Sequence, residues 1–260
     1  MPIADLTIRV QSRIIRSRPD VDEPGLYIKP DGFSGWDGTA DVRRESVERP
    51  GEDGEFDLPV YSGARVVKVD GVVLADSLDS LGWWKHHVMG IGAGGVRFRV
   101  EVDHHGETLW AWARRGGQAE FTDSGIRSRL LHAGFFQQWV FPDPRKYGET
   151  NVSTRGTTVQ AYHRGNAPVS PVVEVTGPFP NGYTVTAAGR TLTVTAPLPA
   201  GSVDRIEIGR SRLFRNGSRL LGAISVPGRW AIPGGVQVTH ALTGAGGSGS
   251  MVVRTLDAFE

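Results

Sequence analysis

The stretch QQWVFPDPRKYG, residues 137–148, decides how the chain is divided. Aromatic and β-branched residues cluster from Phe135 to Phe141, which predicts a β-strand. Pro142 and Pro144 end this strand, because proline has no backbone donor and restricts the residue before it. The stretch is therefore predicted to be the last strand of a first domain and the exit toward a second.

The length of 260 residues suits two ordinary domains, and the 39% of hydrophobic residues is enough for packed cores. We predict an N-terminal β domain over residues 1–148, a linker over 149–165 and a β-sandwich over 166–260. The 35 glycines and 16 prolines fit a β protein that is rich in turns. The expected fold class is all-β with one short helix.

Composition also excludes several kinds of function. A net charge of +1 argues against binding to nucleic acid or to an anionic membrane. The absence of cysteine excludes disulfides, thiolate nucleophiles and cysteine-bound zinc. The N-terminus lacks a signal-peptide core, and no run approaches the ~18 apolar residues of a membrane span.

The first domain is predicted to contain several strands and one helix. Asp70-Gly71 lies between β-branched runs, which predicts a hairpin turn. A helix is expected from the cap at Asp76 or Ser77 to the glycines that start at Gly90. Residues 19–57 show little pattern, with Trp36 as their main apolar anchor. The predicted strands are 5–15, 65–69, 72–74, 96–103, 108–114, 118–122 and 135–141, with a turn at 104–107.

The second domain shows short strands at the spacing of a two-sheet sandwich. Asn216-Gly217 is its strongest hairpin signal. The predicted strands are 172–175, 183–186, 191–195, 205–208, 211–214, 220–225, 236–239 and 251–255.

Two histidine groups are candidates for metal ligands. His86 and His87 are adjacent on the predicted helix and point about 100° apart, so they do not face one ion together. Asp103, His104 and His105 fall at a predicted turn. We expect surface histidines in both places and no metal site.

Other polar groups are candidates for catalytic residues. Asp143 and Arg145 flank Pro144, and we expect them to form either an ion pair or a solvated turn. A catalytic role is the least favoured, because no histidine or second acid is spaced to act with them. The residues Gly90–Gly95 follow a helix and lack the ending of a phosphate loop. An exposed loop is favoured over a glycosidase-like pair for the acidic cluster of Glu52, Asp53, Glu55 and Asp57.

Aromatic side chains are candidates for platforms that bind sugars or bases. Core or subunit packing is the commoner role, and the near-neutral charge argues against bases. The residues concerned are Trp83, Trp84, Trp110, Trp112 and Trp139. We expect no catalytic residue and no cofactor.

Several short stretches, taken in order, resemble one known family. They are Gly35-Trp36, Arg49–Gly54, Gly63–Val67 with Asp70-Gly71, the single helix, Phe141–Gly148, Gly165–Pro168, Asn216-Gly217 and Ile232–Gly235. Together they resemble the distal tail proteins, or minor tail proteins, of long-tailed siphovirus phages that infect actinobacteria.

This resemblance implies an N-terminal β domain with one helix and a hairpin arm, followed by a galectin-like β-sandwich. It implies a structural, non-enzymatic protein made in the host cytoplasm and built into the virion at the tail tip. Six copies would form a homo-hexameric ring that joins the tail tube to the baseplate. The implied partners are further copies of the chain, the tail tube protein, the tape measure protein and the baseplate hub protein.

Two alternatives remain open from the sequence. One is a carbohydrate-binding module that recognises the host surface through Trp230 or Tyr183 of the sandwich. The other is a cell-wall hydrolase that uses the acidic loop, with Glu52 or Glu55 as the essential acid.

Overall fold

The computed structural model describes residues 6–17, 23–127, 130–244 and 246–260, and the chain forms two compact units. The first unit is Met1–Lys146 with Glu260, and the second is Tyr147–Phe259. The fold class is all-β with one α-helix in the described residues, as the sequence predicts. None of the described helices is both long and apolar enough to span a membrane.

The first unit contains ten strands and the helix α1 in its described part. The strands are β1 (Thr7–Val10), β2 (Arg13–Arg16), β3 (Gly25–Ser34), β4 (Val42–Arg43), β5 (Tyr61–Ser62), β6 (Arg65–Ala75), β7 (Phe98–His104), β8 (Glu107–Arg115), β9 (Glu120–Arg127) and β10 (Leu130–Phe141). The helix α1 (Leu78–Met89) lies between β6 and β7, and a 3₁₀ turn covers Ala93–Gly95.

The main sheet of this unit closes on itself. Its strand order is β8-β7-β1-β2-β3-β6-β10-β9, and β8 also pairs with β10 through Arg114–Val140 and Arg115–Trp139. Side chains alternate across the strands from β8 to β10, so one face of these strands points into the enclosed core. In β10 the alternate residues Phe135, Trp139 and Phe141 are buried, with Gln137 between them at the same face.

The helix prediction is confirmed. Ser77 is the N-cap, and its hydroxyl accepts the Ser80 amide at 3.2 Å. Gly90 is the C-cap. The helix packs on β6 and β10, and the buried Gln137 amide donates to the Val88 carbonyl at 3.1 Å, which satisfies one terminal carbonyl.

The predicted hairpin at Asp70-Gly71 is wrong. Both residues lie inside the single strand β6, which is paired with β3 on one side and with β10 on the other. A Cβ on Gly71 would lie 2.3 Å from Cζ of Phe135 and 2.5 Å from the Tyr27 carbonyl oxygen. The glycine is therefore required by a ring packed over the backbone and not by a turn.

The N-terminal region also differs from the prediction. The expected strand over residues 5–15 is a hairpin of β1 and β2, because Gln11 adopts a positive φ of 52° between them. Asp5, where that strand was predicted to begin, lies outside the described residues. The poorly patterned region 19–57 contains the ten-residue strand β3, whose pairing with β6 is interrupted between Ile28 and Phe33.

The second unit consists of two sheets. Its strands are β11 (Lys146–Val152), β12 (Thr158–Ala161), β13 (Val172–Thr176), β14 (Tyr183–Ala187), β15 (Arg190–Val194), β16 (Val203–Glu207), β17 (Arg212–Arg215), β18 (Ser218–Leu220), β19 (Ile224–Val226), β20 (Val238–Gly244) and β21 (Ser250–Phe259). One sheet has the order β18-β17-β16-β13-β21-β11 and the other β12-β20-β14-β15-β19.

The inner faces of these two sheets share one core. Val173 and Ile206 come from the first sheet, and Val185, Leu192 and Leu242 come from the second. The predicted sandwich is therefore present.

Two details of the second unit bear on the predictions. The Asn216-Gly217 hairpin is confirmed, with both residues at positive φ between β17 and β18. The stretch 149–165, for which we expect a linker, instead holds most of β11 and all of β12. Buried and exposed residues alternate only over a short length in these strands, and the exposed residues are mostly polar. The sequence therefore gives little indication of strands in this stretch.

Candidate assembly surface

Residues 41–63 of the first unit form a hairpin, which we call the arm. At its base β4 and β5 form a separate two-stranded sheet, with Val42 opposite Ser62 and Arg43 opposite Tyr61. The Gly63 amide donates to the Asp41 carbonyl at 2.6 Å, and the Phe56 amide donates to the Val47 carbonyl at 2.9 Å. The arm thus corresponds to the hairpin that the family resemblance implies.

The arm exposes large apolar side chains to solvent. Their exposed fractions run from 49% for Phe56 to 65% for Val42, and the set is Val42, Val47, Phe56, Val60 and Tyr61. Arg43 lies over the Tyr61 ring at 5.5 Å and Arg49 over the Phe56 ring at 5.9 Å. A concentration of exposed apolar side chains in one short segment is typical of a protein-binding surface.

Both ends of the arm are held by one buried cation. Arg65, two residues after the arm, is 1% exposed. Its Nη1 donates to the carbonyls of Gly35, at 3.0 Å, of Trp36, at 2.9 Å, and of Gly38. Its Nε donates to the Pro144 carbonyl at 2.8 Å. The guanidinium therefore joins the segment before the arm, the strand after it and the proline turn.

Aromatic packing completes the base of the arm. Trp36 is buried and meets Phe141 edge-on at 5.7 Å between ring centroids. The Lys146 ammonium donates to the Trp36 carbonyl at 3.1 Å and lies 5.9 Å from the indole ring. Gly35 has a φ of 86°, and a Cβ there would lie 2.0 Å from the Val66 carbonyl oxygen, so only glycine fits.

Burial changes the electrostatics of these two cations. Desolvation lowers the pKa of Arg65, and the nearby Asp37 carboxylate partly opposes that change. Desolvation also lowers the pKa of Lys146, with a further contribution from the Arg65 charge. The base therefore contains two desolvated cations that are satisfied mainly by backbone carbonyls.

The acidic cluster belongs to the outer part of the arm. Glu55 forms an ion pair with Arg44 and accepts the Ser46 hydroxyl, and Glu52 lies 4.0 Å from Arg49. Glu48 and Glu55 are opposite each other in a bridge across the hairpin. These acids are exposed or partly exposed and hold the hairpin together, as expected for a charged loop.

The two histidine groups differ in how far they are exposed to solvent. His86 is exposed on α1, and His87 Nδ1 donates to the Trp83 carbonyl at 2.8 Å. His104 is 7% exposed, so the expectation of a surface residue is wrong for it. The alternation of Phe98, Val100 and Val102 continues inward to His104, so the sequence does contain a signal for the burial of this histidine.

The proline turn contains the Asp143–Arg145 ion pair, which is one of the two arrangements predicted for it. Arg145 Nε donates to Asp143 Oδ1 at 3.0 Å, and the Arg145 amide donates to the same oxygen at 3.3 Å. The pair fixes the turn that presents the Pro144 carbonyl to Arg65.

The tryptophans divide between core and surface. Trp139 is fully buried against Phe98, at 6.0 Å between centroids. Arg99 of β7 lies over the Trp110 ring, and Arg97, the residue before β7, lies over the Trp112 ring. Each guanidinium is 4.6 Å from the ring centroid. Trp83 is half exposed on α1.

The two aromatic residues considered for sugar binding lie inside the sandwich. Trp230 is buried, and its Nε1 donates to His240 Nε2 at 3.0 Å. The Tyr183 hydroxyl donates to Asp204 Oδ2 at 2.9 Å, and burial raises the pKa of Tyr183. Neither ring is available to stack on a sugar at the surface.

One strand edge of the first unit is also open. In the part of the chain that the structure describes, β9 is hydrogen-bonded on one side only, to β10. An unpaired strand edge offers backbone donors and acceptors to another chain.

Comparisons with known proteins support the fold through structure and not through sequence. No protein-family model matches the sequence. No curated protein matches it significantly.

Among solved structures, the chain is similar to SPP1 Dit, described as a paradigm of the hub adsorption apparatus in phages that infect Gram-positive bacteria. The TM-score is 0.76 at 14% identity, over 98% of this chain and 99% of that chain. Two structures of the phage P2 baseplate in its activated conformation, with Ca and with Sr, have TM-scores of 0.48 at 6% and 7% identity. They cover 96% of this chain and 97% and 98% of the other chains. The chain thus has the fold of SPP1 Dit.

Proposed function

We propose that this chain is a structural protein of a phage tail tip, where six copies form a ring that joins the tail tube to the baseplate hub. The observation that carries the proposal is the agreement of fold with SPP1 Dit over nearly the whole of both chains. The hosts proposed from the sequence resemblance are actinobacteria. The proposed partners are the tail tube, tape measure and hub proteins.

The arm supports the ring in physical terms. A closed ring needs a patch on one copy that fits a different patch on the next copy. The arm offers five exposed apolar side chains on a hairpin whose base is fixed by Arg65. A fixed base lowers the entropy lost when the hairpin docks, so the arm is suited to bind a neighbouring copy.

The two alternative functions have less support. A sugar-binding role for Trp230 or Tyr183 is opposed by the burial of both side chains. A hydrolase that uses Glu52 or Glu55 is opposed by the ion pairs of both residues with arginines of the arm. We therefore propose a role in assembly and no chemical reaction.

Light scattering of the full-length protein during size-exclusion chromatography tests this function. We expect a species of six times the monomer mass. The double variant Phe56→Ser/Tyr61→Ser removes two exposed side chains of the arm and is expected to release monomers. Trp83→Ser removes an equally exposed aromatic residue from α1 and serves as the matched control, with the hexamer retained. A wild-type protein that remains monomeric at all concentrations would overturn the ring.

A further inference from the structure

We propose that Asp37, His104 and His105 bind a divalent transition-metal ion, with Zn²⁺ as the preferred ion. The three side chains each offer one ligand atom, and these atoms all lie within 4.8 Å of one another. Asp37 belongs to the segment between β3 and the arm, and the histidines lie at the turn between β7 and β8. The site is therefore built from two separate segments of the first unit.

The buried histidine is the strongest observation. His104 is 7% exposed, yet neither of its ring nitrogens has a hydrogen-bond partner. Its Nδ1 lies 3.3 Å from Asp37 Oδ2, but the angles do not form a hydrogen bond. Buried polar atoms almost always have a partner, so a buried histidine whose ring nitrogens have none is suited to bind a ligand. A histidine nitrogen and a carboxylate oxygen that lie this close without a hydrogen bond between them are placed to share a cation.

The turn brings the second histidine to the same place. Consecutive residues of a strand point to opposite faces of the sheet, which would separate the two rings. His105 instead has a φ of 54° and Gly106 a φ of 74°, so the chain reverses immediately after His104. The two imidazole rings lie 3.6 Å apart between centroids, at 33° to each other.

The donor set selects the class of metal. Two imidazoles and one carboxylate suit zinc and its neighbours in the first transition row, whereas Ca²⁺ and Mg²⁺ prefer sites made of oxygen. Zinc bonds to these ligands are about 2.0–2.2 Å long. The ligand atoms must therefore move slightly inward, and the exposed side chains of Asp37 and His105 have room to do so. A water molecule completes a tetrahedral site.

An ion at this position ties the base of the arm to the β7–β8 turn. Asp37 is four residues before the arm begins and directly follows Trp36, which Arg65 and Lys146 hold by its carbonyl. The ion would add a second restraint on the same segment. This inference does not depend on the ring, because it concerns contacts inside one chain.

Titration of the full-length protein, without an affinity tag, tests the site. Co²⁺ serves as the spectroscopic probe and Zn²⁺ as the competitor, with calorimetry for stoichiometry and affinity. We expect one Zn²⁺ per chain and a visible Co²⁺ absorption band of a four-coordinate site that Zn²⁺ abolishes. His105→Asn and Asp37→Asn alter exposed side chains, and each is expected to weaken Zn²⁺ binding by at least about tenfold.

The matched control is His86→Asn, which removes an exposed histidine of α1 and should bind Zn²⁺ like the wild type. Circular dichroism verifies that each variant is folded. The proposal is overturned if the wild type shows neither the Co²⁺ band nor binding heat. It is equally overturned if His105→Asn weakens Zn²⁺ binding by less than about tenfold, or if His86→Asn weakens it as strongly as His105→Asn does.

Discussion

The Arg65 guanidinium donates to the Pro144 carbonyl at 2.8 Å, across 79 positions of sequence. The same side chain donates to three carbonyls of residues 35–38. One buried cation, on the strand that follows the arm, thus satisfies backbone acceptors on the segment before the arm and on the proline turn. This relationship explains why the proline turn, which the sequence marks only as an exit, is part of the base of the arm.

Replacing Arg65 tests this role. Arg65→Met removes a donor from four carbonyls that are partly or fully buried, and we expect the free energy of unfolding of the first unit to fall by about 3 kcal/mol. The arm should also become looser, so trypsin should cut faster after Arg43 and Arg44. Thermal unfolding and timed proteolysis measure the two effects. Arg97→Met, at an exposed arginine, is the control, and equal behaviour of the two variants would contradict the assigned role.

Two substitutions of glycine by alanine should have opposite effects. Gly71→Ala places a Cβ against the Phe135 ring inside β6, and we expect a loss of about 2–3 kcal/mol in unfolding free energy, comparable to overpacking a core. Gly82 lies inside α1, and a Cβ there would meet nothing within 4 Å. Gly82→Ala should therefore stabilise the protein by about 0.5–1 kcal/mol. Denaturant unfolding measures both, and a neutral Gly71→Ala would contradict the packing described for β6.

The buried ion pair of the sandwich should be far more sensitive than a surface pair. Asp204 is fully buried, and Arg215 donates to both of its oxygens, at 2.7 and 2.9 Å. Arg215→Met leaves the buried carboxylate without its cation, although the Tyr183 hydroxyl still donates to it, and this costs about 3–5 kcal/mol. Arg254→Met breaks the more exposed pair with Glu174 and should cost about 0–1 kcal/mol. Similar thermal stabilities of the two variants would contradict this difference.

The sandwich should lose stability in mild acid through His240. Burial lowers the pKa of His240 below its ordinary value, and its Nε2 accepts the Trp230 N–H as a neutral ring must. The unfolded chain takes up a proton near pH 6.5, where the folded chain does not, so stability falls as the pH drops from about 6.5 toward the lower folded pKa. Melting temperatures recorded at several pH values from about 7.5 down to about 5 measure this dependence.

His240→Asn should reduce that dependence on pH, whereas His86→Asn, on the exposed face of α1, should leave it unchanged. An unaltered pH profile in His240→Asn would show that another group is responsible.

Local signals of the sequence predicted local structure well. Helix α1 begins after Ser77 because the Ser77 hydroxyl caps the Ser80 amide within one helical turn. It ends at Gly90, and the chain then turns at Gly92, which has a positive φ of 62°. Asn216-Gly217 forms its hairpin because both residues adopt positive φ without help from elsewhere. Asp70-Gly71 carries the same kind of signal, but pairing of β6 on both sides overrides it.

The base of the arm depends on contacts between segments that are far apart in the sequence. Arg65 occupies an ordinary position at the start of a strand, and nothing near it in sequence reveals its carbonyl partners near Trp36 and Pro144. The strand β3 was missed because Pro30, Asp31 and Gly32 resemble a turn, whereas the structure accommodates them as an irregularity inside the strand. Such positions depend on contacts between distant segments.

Electron microscopy of the purified full-length protein tests the central claim most directly. The account predicts closed rings with sixfold symmetry in class averages, lost in Phe56→Ser/Tyr61→Ser and kept in Trp83→Ser. Images in which the wild type shows only single chains, like Phe56→Ser/Tyr61→Ser, would contradict it.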